Sequence, residues 1–242
     1  CYYFSFFISY DTTSSQSWVR NNFFSKNQSL NKKSLNDCHM NEKWNKKYAQ
    51  SPLPLFGNKP SFICKKSLII DKKELSPCLF IGDGEGRNSR YMAASEIDVT
   101  AIDLSEVATS KALDADYKSG LQITRMIADA SKWSACDQKF KCCFMIFVHV
   151  DASEREAIFS NISSMLYKGG HFFMEGFSQA HLKHRSFGPS DRSVLYDAKT
   201  IIPQLPSFKL INSTVTDEIL DDAPGHVGLA SISRLHFTKT TR

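Results

Sequence analysis

A chain of 242 residues with 42% hydrophobic and 23% charged side chains can hold one full α/β domain and bury a sizeable core. Its formal net charge of +5 is modest, and the lysines are scattered among acids instead of gathered in a basic stripe, which argues against a nucleic-acid partner. No run approaches the roughly 20 apolar residues of a membrane span, so a soluble protein is expected.

Residues 1–39 are rich in Ser, Asn, Lys, Phe and Tyr, contain no glycine and show no sustained period of 2 or 3.6. They read as a poorly ordered extension, with Met40 as a candidate start. An organelle transit segment is the rival reading, weakened by a single arginine and the absence of a clean amphipathic face. From Met40 onward the pattern becomes regular. Trp44 and Tyr48 share a helix face, and Pro52, Pro54, Phe56, Gly57 and Pro60 form a rigid loop. Phe62 to Ile70 reads as a helix leading to Pro77.

Apolar runs at 78–82, 98–102, 122–127, 142–148 and 171–177 are predicted strands, and 87–95, 105–118 and 153–166 are predicted helices between them. Such alternation specifies a doubly wound, parallel sheet. After a helix near 197–205, strands at 208–219 and 227–238 flank a short Asp-Asp-Ala-Pro-Gly-His turn and pair antiparallel. The predicted fold class is therefore α/β, a mostly parallel seven-stranded sheet of Rossmann-like type ending in an antiparallel hairpin.

Seven cysteines sit at 1, 38, 64, 78, 136, 142 and 143, with no C-x-x-C pair and no histidine at zinc spacing. Reduced thiols in a cytoplasmic protein are expected, with no metal centre. Cys142 and Cys143 fall inside an apolar run and read as small core residues.

The chemistry concentrates at Phe80-Ile81-Gly82-Asp83-Gly84-Glu85-Gly86-Arg87-Asn88, where a strand turns into a helix. Glycines there permit positive φ and leave bare backbone for a ligand. Seventeen residues after Gly86, the run from Val99 to Ile102 ends in Asp103, whose carboxylate suits the two hydroxyls of a ribose. The spacing Gly82-x-Gly84-x-Gly86 departs from the G-x-G-x-x-G of dinucleotide loops. It resembles an S-adenosylmethionine loop instead, and Asp83 and Glu85 would repel a pyrophosphate yet tolerate a ligand carrying a sulfonium and an ammonium.

These segments resemble the class I S-adenosylmethionine-dependent methyltransferases, in the tellurite-resistance and thiol methyltransferase-like branch. The likeness runs from Met40 to Arg242. It rests on Trp44 with Tyr48, Pro-Leu-Phe-Gly at 54–57, the glycine loop at 82–88, Val-Thr-Ala-Ile-Asp-Leu-Ser at 99–105 and Ala-Asp-Ala at 128–130. Phe-Val-His-Val at 147–150, Lys-Gly-Gly at 168–170, Glu-Gly-Phe at 175–177 and Pro-Gly-His at 224–226 complete it. By resemblance, Gly82, Gly84 and Gly86 wrap the methionine portion, Asp103 holds the ribose with Leu104 beside the adenine, and Asp129 and Ala130 contact the adenine edge. Asp83 is added to the cofactor set because Phe80 stands where relatives carry an acid. Lys141 is a second departure, at the start of the fourth strand.

Methyl transfer from a sulfonium needs alignment more than acid–base machinery. Topology places His149, Glu175, Phe177 and the 220–227 turn around the crevice at the carboxyl ends of the strands. His149 and His226 are candidates to orient the acceptor or take its proton, and Glu175 to neutralise positive charge. Each also has a packing reading: a strand-end histidine, a hairpin cap and a structural acid. Trp44 and Tyr48 either close over the sulfonium or pack on the core. Arg87 and Asn88 start the next helix, and Asp151 and Ser153 are helix-start residues. The acceptor is expected to be a small molecule, such as a thiol or chalcogen oxyanion. Two alternatives remain open: a non-catalytic binder of S-adenosylmethionine or S-adenosylhomocysteine, and a nicotinamide-dependent oxidoreductase. Oligomeric state is not legible.

Overall fold

The computed structural model of the chain describes residues 32–184 and 187–240. Five parallel strands form its centre: β1 (Cys78–Ile81), β2 (Val99–Asp103), β3 (Thr124–Ile127), β4 (Phe140–Ile146) and β5 (Leu166–Phe177). The long strands β6 (Phe208–Ala223) and β7 (His226–Lys239) complete a seven-stranded sheet in the order β3-β2-β1-β4-β5-β7-β6. Strand β7 is antiparallel to both neighbours, so β6 runs with the parallel set. The predicted fold class holds.

Helices cover both faces. On one side lie α2 (Phe62–Ser67), α3 (Lys72–Leu75) and α4 (Arg87–Ala94), over Phe80, Phe144 and Phe173. These three rings stack across β1, β4 and β5 with centroids 4.8 and 4.7 Å apart. Phe80 is thus spent on the core. On the other face α6 (Ala152–Met165) and α7 (Ala198–Ile201) pack against Leu79, Met174 and Leu235. Both faces of β1 are buried, which is why its four residues are uniformly apolar. Two further helices, α1 (Lys32–Gln50) and α5 (Glu106–Ser119), meet at the carboxyl end of β2.

Some boundaries differ from the sequence reading. The helix expected over Phe62–Ile70 stops at Ser67, and Asp71, accepting the Lys73 N–H at 2.9 Å, starts a separate α3 beyond it. Strand β5 begins at Leu166, directly after α6, five residues before its apolar run. Helix α1 reaches back to Lys32; the rest of the expected extension, 1–31, lies outside the described residues. Cys142 and Cys143 are fully buried, and Asp151 caps α6 by accepting the Glu154 N–H, both as read. The Lys141 ammonium bonds the Lys73 carbonyl at 2.5 Å, at the amino end of the sheet and away from the crevice. Among the described residues no helix is long and apolar enough to cross a membrane.

Candidate active site

Between β1 and β4 the strand order reverses, the switch point at whose carboxyl ends doubly wound sheets place their ligand crevice. The glycine loop leaves β1 there. Gly82, Gly84 and Gly86 have φ of +65°, +59° and +82°. A Cβ on Gly84 would stand 2.6 Å from the Tyr48 hydroxyl; on Gly82 it would collide with the Val148 side chain, and on Gly86 with the Arg125 and Arg90 guanidiniums. All three positions therefore exclude side chains by conformation and by space.

Asp83 was expected to face the cofactor. It turns into the fold instead, accepting from Ser89 at 2.5 Å and pairing with Arg125 at 2.7 Å. Arg125 also grips Asp116 at 2.5 Å, and Arg90 donates to the Glu85 carbonyl at 2.6 Å. The side chains of Asp83 and Arg125 are 1% and 2% exposed. Burial raises the Asp83 carboxyl above its ordinary value although Arg125 opposes this. The acid thus anchors the loop from beneath.

Asp103 ends β2. Its Oδ2 accepts the Gly84 N–H at 2.7 Å and its Oδ1 the Ser105 N–H at 2.8 Å. Each oxygen keeps a further lone-pair site, as a vicinal diol requires. Burial pushes this carboxyl up to about 6. Leu104 follows, half-buried. Asp129 and Ala130 lie beyond β3, joined to β2 by the Ala128 N–H on the Asp103 carbonyl at 2.9 Å. Burial would raise Asp129, but the Ser131 hydroxyl and Lys132 outweigh it and hold the carboxyl low.

Four segments close over this floor. Asn45 of α1 accepts from the Ser105 hydroxyl at 2.7 Å, fixing α1 across the start of α5. Lys111 of α5 donates to the carbonyls of Tyr48 and Ser51 at 2.6 and 2.9 Å, a cation at a helix C-terminus, and pairs with Glu85 at 3.3 Å. Glu85 also accepts the Leu55 N–H at 2.6 Å, and the Leu55 carbonyl accepts the Gly225 N–H at 2.7 Å. Helix α1, the 51–60 loop, the glycine loop and the hairpin tip are therefore tied together. Trp44 sits over this junction, 5.9 Å from Tyr48 and 6.3 Å from Phe56 between ring centroids.

The three residues expected to work on the acceptor meet different fates. His149 shares Nδ1 with the Val194 carbonyl at 2.9 Å and accepts the Phe177 N–H on Nε2 at 3.2 Å. Burial lowers it to about 4, so it is a neutral ring with both nitrogens engaged by the backbone. Glu175 is buried between the Ile63 N–H at 3.0 Å and Arg234 at 2.7 Å. Arg234 in turn binds Glu218 and Thr216. Only His226 keeps its ring nitrogens unbonded among the described residues. It is 8% exposed, with Phe56, Phe147, Phe177 and Phe187 at 4.6, 4.7, 5.3 and 5.9 Å. Burial lowers it to about 3, assisted by the positive charge of Arg87.

Sequence reasoning missed Phe147, Arg234, Lys111 and Asn45. Phe147 follows β4 with a φ of +55°, its N–H held by the Glu175 carbonyl at 2.7 Å. A left-handed phenylalanine is strained and persists only where its surroundings hold it, and nothing local announces it. Asn45 follows Trp44 off the Trp44–Tyr48 stripe, and no pattern set it apart from Lys46 and Lys47.

Residues 79–170 match the methyltransferase domain family. That stretch contains the glycine loop, Asp103 and Asp129. No curated protein matches the chain. Among solved structures, one described as "Conversion of a Disulfide Bond into a Thioacetal Group during Echinomycin Biosynthesis" superposes with a TM-score of 0.65 at 17% identity, over 83% of this chain and 93% of the other. The N-methyltransferase NodS of Bradyrhizobium japonicum, in complex with S-adenosyl-L-homocysteine, gives 0.63 at 16%, over 83% and 98%. TehB of Haemophilus influenzae gives 0.57 at 16%, over 83% and 67%. Residues 79–170 thus match a methyltransferase domain, and the chain has the fold of S-adenosylmethionine-dependent methyltransferases, one of which was solved with S-adenosyl-L-homocysteine bound.

Proposed function

We propose that this chain, with its methyltransferase domain at residues 79–170, moves a methyl group from S-adenosylmethionine to a small, soft acceptor such as a thiol or chalcogen oxyanion. The observation that carries the cofactor half is the Asp103 carboxylate, held by the Gly84 and Ser105 amides with lone pairs to spare. Gly82, Gly84 and Gly86 line the place of the amino-acid portion, Asp103 takes the ribose, and Leu104, Asp129 and Ala130 border the adenine. Asp83 supports this set from below, and Trp44 covers it. When bound, the cofactor supplies an activated methyl group on a sulfonium, so the chain itself has only to align the acceptor.

His226 does the aligning in this reading. A ring that charges only near pH 3 is a poor proton acceptor at neutrality, so His226 orients an acceptor that arrives as the anion or sheds its proton to water. The aromatic walls exclude water around it. His149 shapes the pocket by pinning the Val194 and Phe177 backbones, and Glu175 by holding Arg234. The whole of 40–242 serves as one catalytic domain in a cytoplasmic protein that has no nucleic-acid partner. A thiol or chalcogen acceptor would set it in the tellurite-resistance and thiol branch.

His226→Phe preserves the ring and removes both nitrogens. Methylation of a simple thiol such as 2-mercaptoethanol is expected to fall at least about tenfold, with affinity for S-adenosylhomocysteine unchanged. Unaltered turnover would remove His226 from the mechanism.

Affinity for the cofactor should also depend on pH. Ribose hydroxyls donate to the ionised carboxylate, and Asp103 titrates near 6, so binding strengthens as pH rises through about 6 and levels off above it. Titrations at pH 5, 6, 7 and 8 measure this, and a flat profile would contradict the role of Asp103.

A further inference from the structure

Among the described residues the sheet ends at β6, which pairs only with β7. Its other edge turns the N–H and C=O of every second residue outward. Natural edge strands are normally blunted by lysine, proline or a bulge, because an open edge recruits another strand. Between Ile211 and Ile219 this edge has neither lysine nor proline. The irregularities of the β6–β7 ladder lie at Ile211, left without a partner between Leu210 and Asn212, and between Leu220 and Ala223, so Asn212–Leu220 is regular. Ile211, Val215 and Ile219 are 51%, 55% and 74% exposed, and the apolar strip continues through Leu229, which pairs with Ile219.

The run reads Ile-Asn-Ser-Thr-Val-Thr-Asp-Glu-Ile and is nearly symmetric about Val215. We infer that β6 pairs antiparallel with β6 of a second copy of this chain, about a two-fold axis at Val215, to make one continuous sheet. In that register Ile211 faces Ile219, Thr214 faces Thr216 and Val215 faces itself. Asn212 faces Glu218 and Ser213 faces Asp217, so each acid meets a hydrogen-bond donor and no like charges oppose. Moving the axis one residue either way sets Asp217 against Val215 or Ile211, burying a carboxylate on an apolar side chain. The chemistry therefore selects one register, and an isologous contact closes after two copies. The paired run spans about 30 Å at 3.4 Å per residue. The hairpin that carries it also delivers His226 to the crevice.

Sedimentation equilibrium of the full chain at 1–100 μM tests this. A species of twice the 27.4 kDa chain mass is expected. Val215→Lys, which sets two ammonium groups together on the axis, is expected to give the monomer with unchanged circular dichroism and unchanged S-adenosylhomocysteine binding. Val215→Thr is expected to remain dimeric. Val215→Cys is expected to form a covalent dimer under mild oxidation. Three results would each overturn the inference: a wild-type monomer at 100 μM; a dimer that survives Val215→Lys; or growth beyond two copies.

Discussion

Arg125→Met is expected to destabilise the fold by about 3–5 kcal/mol, the usual result of removing one partner from a buried ion-pair network. Arg125 is the cation between Asp83 and Asp116, at 2.7 and 2.5 Å, and both acids are nearly inaccessible to water. Without it Asp83 keeps the Ser89 hydroxyl and Asp116 keeps Arg90 at 3.6 Å, too little to offset two buried charges. The loop above should loosen too, because the Arg125 guanidinium packs where a Cβ on Gly86 would stand. For a domain of this size the loss corresponds to a fall in Tm of roughly 6–20 °C. Thermal unfolding at pH 7.5 measures it. Asp83→Asn in the same chain should restore part of the loss by removing one of the stranded charges; a Tm within a degree of wild type for Arg125→Met alone would show that the network is dispensable.

The second large effect is on binding. Asp103→Ala is expected to weaken S-adenosylhomocysteine binding by about two to three orders of magnitude, since two hydrogen bonds to a charged group are each worth about 1.5–3 kcal/mol and are not fully additive. Stability should move the opposite way. Asp103 titrates near 6 in the fold and near 3.8 when unfolded, so the native state holds its proton more tightly. The penalty for ionising it is absent below the unfolded value, grows as pH rises from about 4 to about 6, and is complete above that. At pH 7.5 the apo form of the alanine variant should therefore unfold no earlier than wild type, even though the Gly84 and Ser105 amides lose their acceptor. A variant that binds poorly because it is unfolded would show both losses together, and the pair of measurements separates the two. Binding groups held at a cost to the fold are a recurrent trade between stability and function.

What the chain discloses about itself follows the range of the interactions. The central strands were legible because each holds a short apolar run, and their parallel pairing because helices alternate with them; the strand order was not read from the sequence. Asp103 was legible as a candidate because a glycine turn and a distal acid form a local pattern with fixed spacing. Asp83 was not, since its role depends on Arg125, 42 residues away, reaching it beneath the loop. The same holds for Glu175, whose partner Arg234 is 59 residues away on β7, and for His149, whose ring is held by a carbonyl 45 residues on. Strand-end polar residues look alike in sequence whether they face a crevice or a buried partner. Only the fold shows that His226 stands among phenylalanine rings with its nitrogens unbonded, while His149 does not.

Calorimetric titration of the full chain with S-adenosylmethionine, S-adenosylhomocysteine and NADH is the most direct test of the central claim. Micromolar binding of the first two with no detectable heat from NADH is the predicted result. Failure to bind either S-adenosyl compound, or a preference for NADH, would contradict the methyltransferase reading and leave the chain with the fold alone.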